Sequence, residues 1–183
     1  MKRVLIGGIG NVLLGDDGVG PYVVRLLESL YELGEGVEVA DLGTPALDLT
    51  HQIVGLHALI LVDSVANDDP PGTVVLYRKE DILRAMPAQR LDPHSPALSE
   101  CLMTAEMLGA TPEHVLLAGV AGACYEPGQP LSDAVRQSVG VAIAAILEEL
   151  ERLEFAFQAK LLPDEPGIWW NRDSIPEPDL VPQ

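Results

Sequence analysis

Residues 4–20, near the start of the chain, are the most informative about the fold and read VLIGGIGNVLLGDDGVG. The first part of this stretch, Val4–Ile9, is apolar without polar alternation, as is typical of a strand buried on both faces. A glycine-rich loop from Gly10 to Gly20 follows and leads into a helix that we expect to end near Leu33. The stretch therefore predicts the first strand and helix of an α/β domain.

The rest of the chain repeats the alternation of strands and helices. We predict strands at Val37–Leu42, Ala58–Val65, Val74–Arg78 and Val115–Val120, and helices at Pro45–Leu56 (with Thr44 as N-cap), Glu80–Met86, Ala97–Leu108 and from Ser132 onward. The link Ala66–Thr73 is too short for a parallel crossover, so the fourth strand should run antiparallel. The predicted fold is a three-layer α/β/α domain with a five-stranded, mostly parallel twisted sheet and one antiparallel strand.

Two regions of different composition predict the domain organisation. Residues 1–160 should form a single α/β domain, in line with a chain of 183 residues. Residues 161–183 are rich in proline and acids, and we expect an irregular tail pinned to the body by Trp169 and Trp170.

The charge and cysteine content exclude several classes of protein. The net charge of −17 comes from 28 acids and 11 bases, which argues against nucleic acid or membrane partners. The two cysteines are too few for a disulfide framework or a cysteine-based zinc site. The low cysteine content predicts a reducing, cytoplasmic location. No apolar run is long enough to span a bilayer, and the first residues lack a cleavage site.

The glycine loop carries two adjacent acids, Asp16 and Asp17, for which three interpretations compete. They could simply favour the positive end of the following helix. The loop could bind a dinucleotide, because Gly8 and Gly10 follow a strand, but Leu13 occupies the position of the third glycine. The acids could also bind a cation.

Two further residues extend the last interpretation. Asp63 ends an apolar strand, at the sheet edge where open α/β folds bind ligands. His94 lies in a polar loop between Pro93 and Pro96. Two carboxylates and one imidazole suit a divalent ion such as nickel or zinc, with positions left for water or substrate.

The other reactive side chains give no comparable pattern. His51, His57 and His114 have no acidic partner that the sequence lets us place. Cys101 falls inside a helix, where a core role is expected rather than a nucleophile. No zincin, serine hydrolase or P-loop motif occurs.

Taken together, the loop GIGNVL at residues 8–13, the run DDGVG at residues 16–20, Asp63 after its strand and the pair Pro93-His94 resemble the nickel-iron hydrogenase maturation endopeptidase family. The resemblance extends over about residues 3–155. It implies a phosphorylase/hydrolase-like mixed sheet of five strands, one of them antiparallel. It also implies that Asp17, Asp63 and His94 form the catalytic, metal-binding site.

The resemblance further implies the substrate and the metal. Family members remove a C-terminal extension from the hydrogenase large subunit after nickel insertion, so the nickel would be supplied by the precursor and no organic cofactor is expected. The loop that contacts the substrate corresponds here to Asp41, Gly43 and Thr44, where Leu42 departs from the usual Asp-Gly-Gly-Thr. The first metal-binding acid is often Glu in the family and is Asp17 here.

These observations predict a hydrolase, a hydrogenase maturation endopeptidase that acts as a monomer in a transient complex with the large-subunit precursor. In one mechanism the site residues position nickel; in another, Asp17 and Asp63 act on water as an acid-base pair, as in an aspartyl protease. Two alternative functions are a non-catalytic chaperone of the large subunit and a nucleotide-binding oxidoreductase.

Overall fold

The computed structural model describes residues 2–45, 49–84, 95–168 and 170. Its elements follow in the order β1 (Val4–Ile9), a 3₁₀ turn (Gly15–Gly18), α1 (Val19–Leu30), β2 (Tyr31–Leu33), β3 (Val37–Gly43), α2 (Leu49–Ile53), β4 (Ala58–Val65), β5 (Val74–Arg78), α3 (Lys79–Arg84), α4 (Ser95–Met107), β6 (His114–Ala121), α5 (Asp133–Arg152) and β7 (Phe157–Ala159). Within those described ranges, no helix has both the length and the apolar character that crossing a membrane requires.

Five strands form one sheet in the order β3-β1-β4-β6-β5. β1 pairs in parallel with β3 and β4, and β4 pairs in parallel with β6. β5 runs antiparallel to β6, with Val74 opposite Val120. The prediction of a mostly parallel sheet with one antiparallel strand is therefore confirmed.

Both faces of this sheet are covered by helices. Every residue of β1 and β4 is buried, as the unbroken apolar runs predicted. Because side chains alternate along a strand, Ile60 packs in one core with residues of α1 and α5, whereas Leu59 and Leu61 pack in another with residues of α2 and α4. The result is the expected three-layer arrangement.

The first helix is shorter than predicted. It ends at Leu30, and Tyr31 already has an extended backbone. Residues Tyr31–Leu33 form β2 instead, which pairs antiparallel with β7 in a second, two-stranded sheet. The Tyr31 ring packs edge-on against Phe157, a contact between distant segments that helical periodicity alone does not reveal.

The second helix also differs from its prediction. It covers Leu49–Ile53, and Thr44 and Pro45 lie outside it, so Thr44 does not cap a helix that begins at Pro45. The chain turns at this point because the Asp41 carboxylate accepts a hydrogen bond of 3.1 Å from the Gly43 amide. This local turn competes with helix formation.

The last helix agrees closely with its prediction. The Ser132 hydroxyl accepts a hydrogen bond of 3.4 Å from the Val135 amide and so caps α5. The predicted apolar face is buried and consists of Val135, Val139, Ile143, Ile146 and Leu150.

The segment after β7 follows the surface of the domain. The Asp164 amide donates to the carbonyl of Ser29, and Ile168 is buried in the core that contains α1 and α5. Trp170 packs against the same core. Trp169 and residues 171–183 lie outside the described residues.

Candidate active site

The carboxyl ends of β1 and β4 lie side by side and form the base of the candidate site. Gly8 of β1 is opposite Val62 of β4. The start of α1 rests directly on both strand ends, since a Cβ atom on Gly20 would lie 2.2 Å from the Ile9 carbonyl oxygen and 2.4 Å from that of Val62. The 3₁₀ turn that precedes α1 also contacts β4. The glycines therefore allow the glycine-rich loop to lie against β4.

Asp17 lies in the 3₁₀ turn and is 5% exposed. Its Oδ2 atom accepts a hydrogen bond of 2.7 Å from the backbone amide of Asn11. The loop can close this tightly because Gly10 has a φ of +135° and carries no side chain. A Cβ atom at Gly10 would lie only 1.8 Å from the Asp17 carbonyl oxygen. The glycine loop thus fixes the backbone that carries Asp17.

Asp63 follows Val62 at the same sheet edge and is likewise 5% exposed. Strand alternation directs Asp63 toward the same face as Leu59 and Leu61, which α2 and α4 cover. α4 begins at Ser95, immediately after His94 in the chain. His94 itself lies outside the described residues.

The structure therefore brings two of the three predicted ligands, Asp17 and Asp63, to one edge of the sheet. Both carboxylates are largely removed from solvent, and carboxylate oxygens are favourable ligands for divalent cations. A bound cation would offset the cost of burying two like charges at the same sheet edge. The arrangement suits cation recognition or acid-base chemistry on water.

The residues predicted to contact the substrate lie at the end of β3 and just after it, beside the end of β1. They are Asp41, Gly43 and Thr44. β3 pairs with β1, and the Gly10 amide donates a hydrogen bond of 2.8 Å to the Gly43 carbonyl. Asp41 and Thr44 are exposed. The loop that carries Asp41, Gly43 and Thr44 therefore lies next to the glycine loop.

Asp16 has a role that the sequence did not reveal. Its Oδ2 atom accepts hydrogen bonds from the amides of Ala123 and Cys124, at 2.7 and 2.9 Å, and its Oδ1 atom accepts one from Ser132 at 2.6 Å. Asp16 is fully buried. The adjacent acids thus separate into an anchor, Asp16, and a candidate site residue, Asp17. The only signal in the sequence was the unusual pair of acids in a glycine loop.

The loop after β6 contacts β4 next to Asp63. The Tyr125 hydroxyl lies 2.9 Å from the Ser64 hydroxyl, next in sequence to Asp63. Gly122 makes room for this contact, because a Cβ atom there would lie 2.4 Å from the Tyr125 hydroxyl oxygen. Cys101 is buried in the core on the α4 side of the sheet, in agreement with its predicted core role.

Comparisons with known proteins agree with the fold. The family model described as hydrogenase maturation protease matches residues 21–149. The hydrogenase 2 maturation protease of Escherichia coli strain K12 is 31% identical over 149 residues, which cover 81% of this chain and 90% of that protein.

Solved structures give the same result. The E. coli hydrogenase maturating endopeptidase HybD is similar with a TM-score of 0.81 and 28% identity, over 86% of this chain and 98% of that one. The NiFe hydrogenase maturation protease HybD from Thermococcus kodakarensis has a TM-score of 0.65 and 28% identity, over 81% of this chain and 98% of that one. These relatives favour a peptidase over the chaperone and oxidoreductase alternatives.

Proposed function

The chain belongs to the hydrogenase maturation protease family, and we propose that it removes the C-terminal extension from the nickel-loaded large-subunit precursor of a nickel-iron hydrogenase. The observation that carries this proposal is the pair of buried carboxylates, Asp17 and Asp63, at the carboxyl edge of adjacent strands. Relatives named as hydrogenase maturation proteases supply the reaction class and the substrate.

Asp17, Asp63 and His94 form the site in this proposal. The two carboxylates and the imidazole bind the nickel that the precursor already holds, which makes the metal a part of the substrate. Binding at this point places the C-terminal extension of the precursor across the crevice. Specificity then arises from geometry, because the scissile bond lies at a fixed position relative to the metal.

Peptide hydrolysis at this site needs an activated carbonyl or an activated water. A divalent metal held between substrate and protein supplies Lewis acidity for either purpose. The role of the chain is to hold Asp17 and Asp63 in fixed positions, which the Asn11 amide and the packing of β4 accomplish. In the alternative aspartyl-type mechanism, the same carboxylates activate water as an acid-base pair.

The loop beside the two carboxylates contacts the polypeptide of the precursor. Asp41, Gly43 and Thr44 lie next to the glycine loop through the hydrogen bond between Gly10 and Gly43. We assign to this loop the discrimination among hydrogenase large subunits. Asp41 and Thr44 are more exposed than Asp17 and Asp63. The loop also departs from the family pattern.

The protein acts in the cytoplasm as a monomer that forms a transient complex with its substrate. The chain carries only two cysteines, which fits a reducing compartment. The acidic surface, with a net charge of −17, disfavours nucleic acid and anionic membranes as partners.

Mass spectrometry of the precursor tests the reaction. The purified full-length protein is incubated with nickel-loaded and with nickel-free large-subunit precursor. We expect the nickel-loaded form to lose the mass of its C-terminal extension and the nickel-free form to stay intact. A stable complex without mass loss would indicate a binding module instead. Equal cleavage of both forms would contradict recognition through nickel.

A further inference from the structure

A second group of side chains of types that can bind a metal lies at the opposite edge of the sheet. His57 immediately precedes β4, and His114 begins β6 directly opposite Ala58. Glu113 lies beside both imidazoles. No acidic partner for these histidines could be placed from the sequence alone, and the structure identifies Glu113 as one.

The three side chains converge closely. One ligand atom from each residue lies within 4.8 Å of those of the other two. His57 Nδ1 is 3.4 Å from Glu113 Oε2, and His114 Nε2 is 3.7 Å from Glu113 Oε1. Ligand atoms about 2.0–2.2 Å from a tetrahedral metal are separated by about 3.4 Å. Small side-chain rotations therefore suffice to bring all three onto one ion.

The backbone under this group is fixed by hydrogen bonds. The His57 carbonyl accepts from the amides of Glu113 and His114, at 3.1 and 3.2 Å, and the His57 amide donates to Arg3 at 2.8 Å. The two imidazole rings pack edge-on with centroids 5.1 Å apart. The two imidazoles, held this way, lose little conformational entropy when a metal binds.

One side of the group is open to solvent. The Glu113 side chain is 70% exposed, whereas that of His57 is 13% exposed. A cavity of about 300 Å³ adjoins Glu113 and His114. Water could therefore occupy the coordination positions that the protein leaves vacant. The two arginines that line this cavity, Arg78 and Arg152, both contact the buried carboxylate of Glu149, which partly balances their charge.

We propose that His57, Glu113 and His114 bind one divalent transition metal ion of the zinc or nickel class. Two imidazoles and one carboxylate favour these borderline ions over Mg²⁺ and Ca²⁺, which prefer ligand sets made of oxygen alone. The ion links the start of β4 to the start of β6. It lies far from the crevice, because the six residue steps from His57 to Asp63 correspond to about 20 Å along a strand.

Calorimetric titration with ZnCl₂ and NiCl₂ tests the proposal on the full-length protein without an affinity tag. The background variant Asp17→Asn/Asp63→Asn removes the carboxylates of the other candidate site. In this background we expect one equivalent of metal to bind. Adding His57→Ala or His114→Ala should weaken binding at least about tenfold, since even changes outside the ligand shell have effects of 10-fold or more. The control His51→Ala changes an exposed histidine of α2 and should leave binding intact.

Glu113→Gln provides a milder variant that removes only an exposed carboxylate. We expect it to weaken metal binding while circular dichroism shows an unchanged fold. Binding that is unaffected by His57→Ala, His114→Ala and Glu113→Gln, or no binding in the background variant, would overturn the proposal. Either result leaves the proposed peptidase site untouched, because the two sites share no residue.

Discussion

The carboxylate of Asp16 accepts a hydrogen bond of 2.6 Å from the backbone amide of Ser132, a residue 116 positions further along the chain. Ser132 is the N-cap of α5, so this bond joins the glycine loop to the start of the longest helix. Two more amides, from Ala123 and Cys124, donate to the same carboxylate. Asp16 therefore holds together the loops after β1 and β6, on either side of the site.

Substitution of Asp16 should reduce stability more than substitution of its neighbour. In Asp16→Asn, an NH₂ group that cannot accept a hydrogen bond replaces one of the two carboxylate oxygens that accept from backbone amides. We therefore expect the free energy of unfolding to fall by about 1–3 kcal/mol. Asp17→Asn keeps an oxygen that can accept from Asn11, so we expect a smaller loss. Urea denaturation of both variants measures the difference. Equal stabilities would contradict the anchoring role of Asp16.

Gly10→Ala should disrupt the loop that carries Asp17. The φ of +135° is unfavourable for alanine, and the new methyl group would collide with the Asp17 carbonyl. We expect a loss of at least about 1–3 kcal/mol from the backbone conformation alone, together with reduced precursor cleavage.

Gly140→Ala is the matched control for this experiment. Gly140 lies in the middle of α5, where no heavy atom is found within 4 Å of the position that a Cβ would occupy. Alanine should raise stability there by about 0.5–1 kcal/mol and leave cleavage unchanged. A Gly10→Ala protein as stable and active as Gly140→Ala would show that the loop is not constrained as described.

The sequence predicted the parts of the fold that depend on local pattern. The apolar runs of β1 and β4, the start of the last helix near Ser132 and the antiparallel β5 follow from residues close together in the chain. It did not predict β2, because Tyr31–Leu33 continues the helical pattern of α1 and becomes a strand only through pairing with Phe157–Ala159. The role of Asp16 was missed for a similar reason, since its donors lie more than 100 positions away.

Substitutions of a core residue and of a site residue on β4 should have opposite effects on stability and cleavage. Leu61 is fully buried, and Leu61→Ala should cost about 2–5 kcal/mol of stability through lost packing. Asp63→Asn removes a buried charge and should be neutral or stabilising while cleavage falls. Thermal melts combined with the cleavage assay test both statements. A reversed order of melting temperatures would argue against Asp63 as a site residue.

Glu149 should make stability depend on pH in the acidic range. Burial alone would raise the pKa of Glu149, but hydrogen bonds from Arg152 and Arg78 outweigh it and hold the pKa below its ordinary value of 4.5. A carboxylate with a lowered pKa stabilises the fold fully above the unfolded value and loses that contribution as pH falls toward the folded value.

The variant Glu149→Gln isolates this contribution. We expect it to be less stable than the wild type at pH 7, with the difference shrinking as the pH falls below about 4.5. Chemical denaturation of both proteins at a series of pH values measures this difference in stability. If the difference in unfolding free energy between the wild type and Glu149→Gln stays constant or widens on acidification, the ion pairs with Arg78 and Arg152 are not the cause of that difference.

The most direct test of the proposed site is the cleavage of nickel-loaded precursor by variants at Asp17, Asp63 and His94, followed by mass spectrometry. We predict that Asp17→Asn, Asp63→Asn and His94→Ala leave the C-terminal extension attached, whereas Asp17→Glu, which keeps the carboxylate, retains cleavage. Normal processing by Asp17→Asn, Asp63→Asn and His94→Ala would contradict the assignment of these residues.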